Sequence, residues 1–304
     1  MRTSESVVGT LRERGDLWER LPGLVGLRGP VRVLHGALEA AFAALALTET
    51  DDDWRVPAGV SLTTLARADY FASFPHWLTV VGHLSDDSAA LETIARSSVP
   101  ADAVVAHGAP VTGALAPAVC YHVYDAFADR TLADTVIVTA QGTCWRHEGA
   151  RFAPLERGWA FGMREIVCIG SAEAVAGFLA RGRRRVLDLA ELLGLDAVVA
   201  EATDPFFAPT ARGKALLQAV QGLKQELLLP HGPDQRLAAA SFNSHGAFFG
   251  EAFGITLPDG SAAHTACVAL GLERWLLAVL CAHGTDPDRW PPIATPPMAL
   301  HEDG

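Results

Sequence analysis

Two regions of the sequence place arginine and glutamate among apolar residues. Residues 144–148 read Cys-Trp-Arg-His-Glu and are followed by Phe-Gly-Met-Arg-Glu at 161–165, while residues 264–274 end in Gly-Leu-Glu-Arg. An isolated charge at a strand end is ordinarily solvated. Glu165, however, lies in an otherwise apolar stretch, and Arg274 falls in the first turn of a predicted Leu- and Val-rich helix. Because a buried charge is costly unless it is paired or bound to a ligand, these regions are candidates for a ligand site.

The common catalytic signatures are absent from the sequence. There is no Gly-rich phosphate loop ending in Lys-Ser/Thr, no GxGxxG after a strand, and no CxxC, HExxH or GxSxG motif. A catalytic site would therefore have to be assembled from residues that are far apart in the chain.

Composition limits the class of protein. The 304 residues are half apolar and carry a net charge of −11, which excludes a mostly disordered chain and argues against broad nucleic-acid binding. No apolar run reaches the ~18–20 residues of a membrane span, and the first residues lack the apolar segment of a secretory signal. Five cysteines, an odd and low count, fit a reducing compartment. The sequence predicts a soluble cytoplasmic protein.

The elements that must position the charged residues follow from periodicity and caps. We expect one α+β domain over residues 1–304, with 1–29 as a loose N-terminal extension. Pro30 opens a helix over 31–47, residues 54–85 are predicted as loop and short strand, and 86–97 as a short amphipathic helix.

A β pattern begins at residue 135. Residues 135–146 and 159–169 predict an antiparallel pair of strands, and Ser171 caps a helix that ends before Gly194. The remaining predictions are helices at 213–223 and 270–283 and strands at 224–230, 237–243 and 263–268.

The two charged regions resemble motifs 2 and 3 of class II aminoacyl-tRNA synthetases. They are more closely similar to the small seryl-tRNA-synthetase-like proteins called amino acid:[carrier protein] ligases, and the match runs from about residue 70 to residue 290. The segments that carry the resemblance are YFASFP (70–75), AVCY (118–121), VY (123–124), RHE (146–148), MRE (163–165), IG (169–170), DPFF (204–207), KQEL (224–227), SFNSH (241–245), FG (249–250), HTAC (264–267) and GLER (271–274).

The resemblance implies a fold and an activity. The fold would be the class II catalytic core, an antiparallel sheet flanked by helices, usually dimeric and without a tRNA-binding arm. Such proteins activate a small amino acid with ATP and Mg²⁺, which yields an aminoacyl-adenylate and pyrophosphate. They then pass the aminoacyl group to the phosphopantetheine thiol of a carrier protein and not to tRNA.

The resemblance also implies roles for single residues around ATP. Arg146 would bind the α-phosphate and the substrate carboxylate, and Arg274 the γ-phosphate, because guanidinium donates in a planar fork and stays charged. Phe161 matches the position that stacks on adenine, and Glu148 the position that accepts from its exocyclic amine.

The same resemblance implies two metal sites. Glu226 and Asn243 match positions near Mg²⁺, which prefers oxygen ligands. Cys120, Glu165 and Cys267 match the family's zinc ligands. Two thiolates and a carboxylate leave one tetrahedral position open, which the amino group of the substrate can fill.

One basic cluster stands out in this acidic chain. Arg183, Arg184 and Arg185 follow Arg181 in the helix predicted after Ser171. The cluster is either a solvated helix face or a docking surface for an acidic carrier protein.

Other readings of the same resemblance stay open. The aminoacyl group could go to tRNA or to a small-molecule or peptide amine. The chain could also be a non-catalytic amino-acid-binding relative.

Overall fold

The computed structural model of the chain describes residues 1–98, 100–149, 152–202 and 223–293. The helices are α1 Ser4–Arg14, α2 Gly29–Ala46, α3 Leu62–Arg67, α4 Tyr70–Ser73, α5 Ser88–Arg96, α6 Pro100–Ala106, α7 Cys120–Ala126, α8 Ala172–Leu192, α9 Phe248–Phe253 and α10 Leu272–His283. The strands are β1 Leu17–Leu21, β2 Leu24–Leu27, β3 Asp53–Arg55, β4 Gly59–Ser61, β5 Val80–Val81, β6 Gly113–Leu115, β7 Val136–Trp145, β8 Ala160–Gly170, β9 Val198–Glu201, β10 Lys224–Gly232, β11 Gln235–Gly246 and β12 His264–Gly271. The segment 204–207 and nearly all of the predicted helix 213–223 lie outside the described residues.

A seven-stranded sheet forms the centre of the fold, in the order β3-β7-β8-β12-β11-β10-β9. Neighbouring strands are antiparallel except for β3, which pairs in parallel with β7. The predicted strand pair is β7–β8, whose register runs from Val136 opposite Ile169 to Trp145 opposite Ala160. The sequence prediction of an α+β fold with a sheet flanked by helices is therefore confirmed, with one parallel pair added at the edge.

Helices α2, α8 and α10 cover one face of this sheet. Their largest buried side chains include Phe42, Phe178 and Trp275, and the rings of Phe42 and Trp275 meet edge to face at 5.4 Å. From the sheet, Ile166 and Val268 point into the same cluster. Side chains alternate along a strand, so their neighbours Glu165 and Cys267 must face the opposite side.

Helices α7 and α9 pack on that opposite face. Tyr124 and Phe253 are fully buried there, together with Val167 and Ile169 of β8. Cys120, the first residue of α7, belongs to the same cluster as Cys267 of β12. This face therefore brings both cysteines toward Glu165.

The prediction of a loose extension over residues 1–29 is wrong. The segment folds as α1 and the β1–β2 hairpin, and Val7 and Leu11 are fully buried with Leu17 nearly so. Thr3 caps α1 by accepting a hydrogen bond from the Ser6 N–H at 3.3 Å. The apolar side of so short a helix is stabilised by packing against α10, which the local sequence does not reveal.

The prediction for residues 54–85 is partly wrong. The region contains the short helices α3 and α4, and β4 and β5 both pair with β6 in a separate three-stranded sheet. The helix predicted at 86–97 forms as α5, capped by the Asp87 side chain. Among the residues that the structure describes, no helix has both the length and the apolar character to cross a bilayer.

Candidate active site

A cavity of about 440 Å³ opens over the sheet face that carries Glu165 and Cys267. The side chains predicted to bind ATP or metal ions all line it: Cys120, Arg146, Glu148, Phe161, Glu165, Glu226, Asn243, Cys267 and Arg274. The fold thus gathers residues from α7, β8, β10, β11, β12, the start of α10 and the loop after β7 around one space.

Arg146 lies directly after β7, at the end of the strand. Its Nε donates a hydrogen bond to the Pro117 carbonyl at 2.9 Å. Its guanidinium lies over two aromatic rings, 5.4 Å from the centroid of Phe161 and 5.9 Å from that of Trp77. Stacking on aromatic faces holds the planar group in place at the wall of the cavity.

Glu148 and Phe161 lie beside Arg146. The Glu148 carboxylate accepts a hydrogen bond from the Arg157 guanidinium and is largely buried, with 13% of its side chain exposed. Phe161 is half-buried on β8, opposite Cys144 of β7. An aromatic face and a fixed carboxylate at one end of the cavity suit the face and the amino edge of a purine base.

Arg274 occupies the first turn of α10 and reaches across to two other segments. Its Nε donates to the Glu156 carbonyl and its Nη1 to the Ala238 carbonyl, both at 2.8 Å. Burial, with the neighbouring charges of Arg146 and Arg157, lowers the pKa of Arg274. Three guanidinium groups around one cavity make a site that suits a polyanion.

Glu226 and Asn243 lie on the neighbouring strands β10 and β11. The Glu226 carboxylate forms an ion pair of 3.0 Å with Lys224. The Asn243 amide donates to Ser241 Oγ at 2.9 Å and to Cys267 Sγ at 3.3 Å. The side-chain nitrogen of Asn243 is therefore directed toward the cysteine end of the cavity.

Cys120, Glu165 and Cys267 form a tight cluster at that end. One ligand atom from each lies within 4.8 Å of the others, and all three residues are buried. Glu165 Oε1 accepts a hydrogen bond from the Val119 N–H at 2.8 Å. Its second oxygen, Oε2, is buried and has no hydrogen-bond partner among the described residues.

The ionisation of the cluster reflects both its burial and the hydrogen bonds around Cys267. Burial, reinforced by Cys267, raises the pKa of Glu165 to about 8. The pKa of Cys267 is lowered well below its usual value, because the Cys120 thiol, His245 and the Asn243 amide all stabilise its thiolate. The hydrogen bond to Cys267 and burial raise the pKa of Cys120. A buried carboxylate oxygen without a hydrogen-bond partner in the described part of the chain lies beside two sulfur atoms. These are ligand types that zinc prefers, and a bound zinc ion would give the oxygen a partner. The residues present therefore fit that ion.

Several lining residues were not assigned a role from the sequence. Trp77 supports Arg146, and Arg157 holds Glu148. Tyr70 begins the segment 70–75, which carries the resemblance without an assigned function. His245, in the SFNSH segment, lines the cavity and contacts Thr265 Oγ1 at 3.3 Å.

The basic cluster lies away from the cavity, on α8. Arg183 and Arg184 are exposed, and Arg183 donates to the Gln225 side chain at 2.9 Å. Arg185 is half-buried, and its guanidinium pairs with Glu49, whose side chain is 5% exposed. Arg181 also pairs with Glu49, at 2.9 Å. Because Arg181 and Arg185 pair with a carboxylate near the end of α2, Arg183 and Arg184 are the better candidates for docking.

Comparison with known proteins gives clear relatives, although no family model matches the chain. It is 36% identical over 241 residues to amino acid–[acyl-carrier-protein] ligase 1 of Bradyrhizobium diazoefficiens, covering 78% of this chain and 73% of the ligase. It is also 36% identical over 284 residues to ligase 2 of the same organism, covering 88% of this chain and 81% of that protein. The type-2 serine–tRNA ligase of Methanococcus aeolicus is 31% identical over 59% of this chain, which corresponds to 36% of that enzyme.

Solved structures show the same fold. The seryl-tRNA synthetase of M. kandleri, solved with a tRNASec of A. aeolicus, superposes with a TM-score of 0.84 and 21% identity over 96% of this chain. The chain spans 60% of that synthetase. The prolyl-tRNA synthetase of Giardia lamblia, solved with prolyl-adenylate, gives a TM-score of 0.70 over 96% of this chain and 56% of its own. The fold is therefore that of a class II synthetase catalytic core.

Proposed function

The chain belongs to the family of amino acid–[acyl-carrier-protein] ligases, and from this premise we propose that it activates a small amino acid with ATP and loads it onto a carrier protein. The observation that carries the proposal is the single cavity in which Arg146, Arg274 and the Cys120–Glu165–Cys267 cluster converge. One end of the cavity suits a nucleotide polyphosphate, and the other end suits an amine.

In the first step a carboxylate oxygen of the amino acid attacks the α-phosphorus of ATP. The bond from that phosphorus to the bridging oxygen breaks, and pyrophosphate leaves with the electron pair. Arg146 binds the α-phosphate and the attacking carboxylate, while Arg274 binds the γ-phosphate. Their charges offset the repulsion between two anions, so catalysis rests on positioning and charge stabilisation without a protein nucleophile.

The adenine base would bind at the Glu148 end. Phe161 stacks on the ring, and Glu148 accepts a hydrogen bond from the exocyclic amine. Glu226 and Asn243 would hold Mg²⁺, which would supply positive charge to offset the negative charge of the phosphates.

Cys120, Glu165 and Cys267 would hold Zn²⁺. The ion would supply Lewis acidity toward the amino group of the substrate. The unpartnered Glu165 Oε2 and the hydrogen bond from Asn243 to Cys267 support this assignment. A site that recognises the substrate through its amino group rejects carboxylic acids that have no amino group.

In the second step the thiol of the phosphopantetheine arm attacks the acyl carbonyl of the adenylate. The carbon–sulfur bond forms, the bond to the phosphate oxygen breaks, and AMP leaves with the electron pair as the thiol loses its proton. The aminoacyl thioester then departs on the carrier protein. We propose that the enzyme is a homodimer, as the resemblance implies, and that it is cytoplasmic, in keeping with its odd and low cysteine count.

Transfer to tRNA is the alternative, because the chain is also similar to type-2 serine–tRNA ligases. A net charge of −11 gives the chain little with which to hold tRNA phosphates. Amino-acid-dependent exchange of pyrophosphate into ATP, across a panel of amino acids, tests the first step. Thioester formation on a holo-carrier protein, compared with charging of tRNA, tests the second. Exchange without transfer to any holo-carrier, together with charged tRNA, would overturn the proposal.

A further inference from the structure

Tyr70, the first residue of α4, is packed into the wall of the cavity. Only 3% of the residue is exposed. Its ring lies 5.7 Å from that of Phe74 and meets Tyr121 edge to face at 6.1 Å. Asp69, just before it, has a left-handed backbone with φ of 54°, which sets the direction in which α4 begins. These contacts therefore place the buried Tyr70 side chain against two other aromatic rings at the cavity wall.

That hydroxyl lacks a partner. It is buried, and no hydrogen-bonding group of the described residues lies within reach. A buried polar atom left without a hydrogen bond costs free energy, and so it calls for an explanation. Burial raises the pKa of Tyr70 to about 12, so the group stays protonated and can donate.

The surroundings of Tyr70 indicate what the hydroxyl meets. Arg146 lines the same cavity, and its positive charge opposes the rise that burial causes in the pKa of Tyr70. Tyr121, whose ring contacts that of Tyr70, directly follows Cys120, a member of the proposed zinc cluster. Tyr70 thus lines the same cavity as Arg146, the proposed carboxylate-binding group, and as the cluster proposed to bind the amine.

We propose that the Tyr70 hydroxyl donates a hydrogen bond to the carboxylate of the amino acid, beside Arg146. The inference rests on the proposed function, since it needs an amino acid whose amine and carboxylate occupy these two ends. Tyr70 then contacts the substrate directly and holds the carboxylate in line for its attack on the α-phosphorus. The Tyr70 hydroxyl, which has no hydrogen-bond partner among the residues described for the free enzyme, gains one in the complex with the amino acid.

Tyr70→Phe tests this, because it removes the hydroxyl alone. We expect the KM for the amino acid in pyrophosphate exchange to rise about 10- to 100-fold, the range for a hydrogen bond to a charged group, while the KM for ATP stays the same. The melting temperature of the free protein should not fall, because no partner is lost. Tyr124→Phe is the matched control: its hydroxyl lies 3.4 Å from His245 Nδ1, so its removal should lower the melting temperature.

An unchanged KM for the amino acid in Tyr70→Phe would overturn the inference. A lowered melting temperature in that variant would do so as well, since it would reveal a structural partner. If the unsubstituted chain shows no exchange with any amino acid, the proposed function fails instead. Calorimetric titration of the unsubstituted chain and of Tyr70→Phe with the same amino acids then decides the inference. Equal affinity of these two proteins for the amino acid, or no binding by either, would overturn it.

Discussion

The Glu273 carboxylate accepts a hydrogen bond from the Gly162 N–H at 2.8 Å, and this bond joins the first turn of α10 to β8. Gly162 follows Phe161, and Glu273 precedes Arg274. The other Glu273 oxygen lies 3.4 Å from His35 Nε2 on α2. The Glu273 carboxylate therefore helps to set the distance between Phe161, the proposed adenine-stacking residue, and Arg274, the proposed γ-phosphate ligand. Glu273 itself has neither of these roles.

We expect Glu273→Ala to lower the melting temperature and to raise the KM for ATP. The Gly162 N–H loses its acceptor, which costs about 1–3 kcal/mol, and α10 is no longer tied to β8. Glu273→Gln keeps an oxygen in the same place and should restore most of both properties. Thermal unfolding and the ATP dependence of pyrophosphate exchange measure the two effects.

Glu251→Ala provides a control, because Glu251 is an exposed carboxylate in another helix, α9. It should leave both quantities unchanged. If Glu273→Ala keeps the melting temperature and the KM for ATP of the parent, the hydrogen bond from Gly162 to Glu273 does not position the site.

Arg146→Ala and Arg274→Ala should each lower the exchange rate by roughly 10²–10³. This corresponds to the loss of one preorganised donor to developing charge, ~2.7–4 kcal/mol. Melting temperatures must be compared alongside, because Arg274 also ties Glu156 to Ala238 through their carbonyls. Arg274→Lys keeps the charge and separates the two contributions.

Arg20, exposed on β1, supplies the control, and Arg20→Ala should exchange pyrophosphate at the parent rate. Full activity in Arg146→Ala or Arg274→Ala would remove that residue from the mechanism.

Most of the regular elements could be predicted from local patterns. The strands β7 and β8 and the helix α8 form close to their predicted bounds, because their apolar periodicity coincides with a cap: the Ser171 hydroxyl accepts a hydrogen bond from the Ala174 N–H at 3.2 Å. Tertiary packing decides the places where the prediction was wrong. Val7 and Leu11 are buried by α10, far along the chain, so nothing within residues 1–29 reveals it.

The cluster of Cys120, Glu165 and Cys267 could not be derived from spacing. β8 and β12 lie side by side, and Ala269 is opposite Glu165, so Cys267 projects from the same face two residues away. Such proximity depends on strand register and on where α7 begins, and the resemblance alone pointed to it. Arg185 shows the converse, because the sequence groups it with Arg183 and Arg184, whereas Glu49, in the turn after α2, pairs with it and leaves it half-buried.

We expect purified protein to contain about one zinc ion per chain, held by Cys120, Glu165 and Cys267. Cys120→Ser and Cys267→Ser should each lower the zinc content sharply, because a thiolate ligand is lost. Removal of the metal with a chelator should lower amino-acid-dependent exchange, and added zinc should restore it. Elemental analysis of each variant gives the content directly.

Cys168→Ala is the matched control, since Cys168 is equally buried but faces the other side of the sheet. Its zinc content should equal that of the parent. Stoichiometric zinc that persists in both serine variants would place the metal elsewhere.

Transfer to the carrier protein should depend on Arg183 and Arg184. Both are exposed on α8, and an acidic carrier approaching a chain of net charge −11 requires a local positive surface. Arg184→Glu should raise the apparent KM for the holo-carrier and leave pyrophosphate exchange intact. Arg20→Glu carries the same charge change on β1 and should alter neither. Transfer should also weaken with salt, because exposed charges are screened over ~8–10 Å. If Arg183→Glu and Arg184→Glu both leave the carrier KM unchanged, the carrier binds another surface of the enzyme.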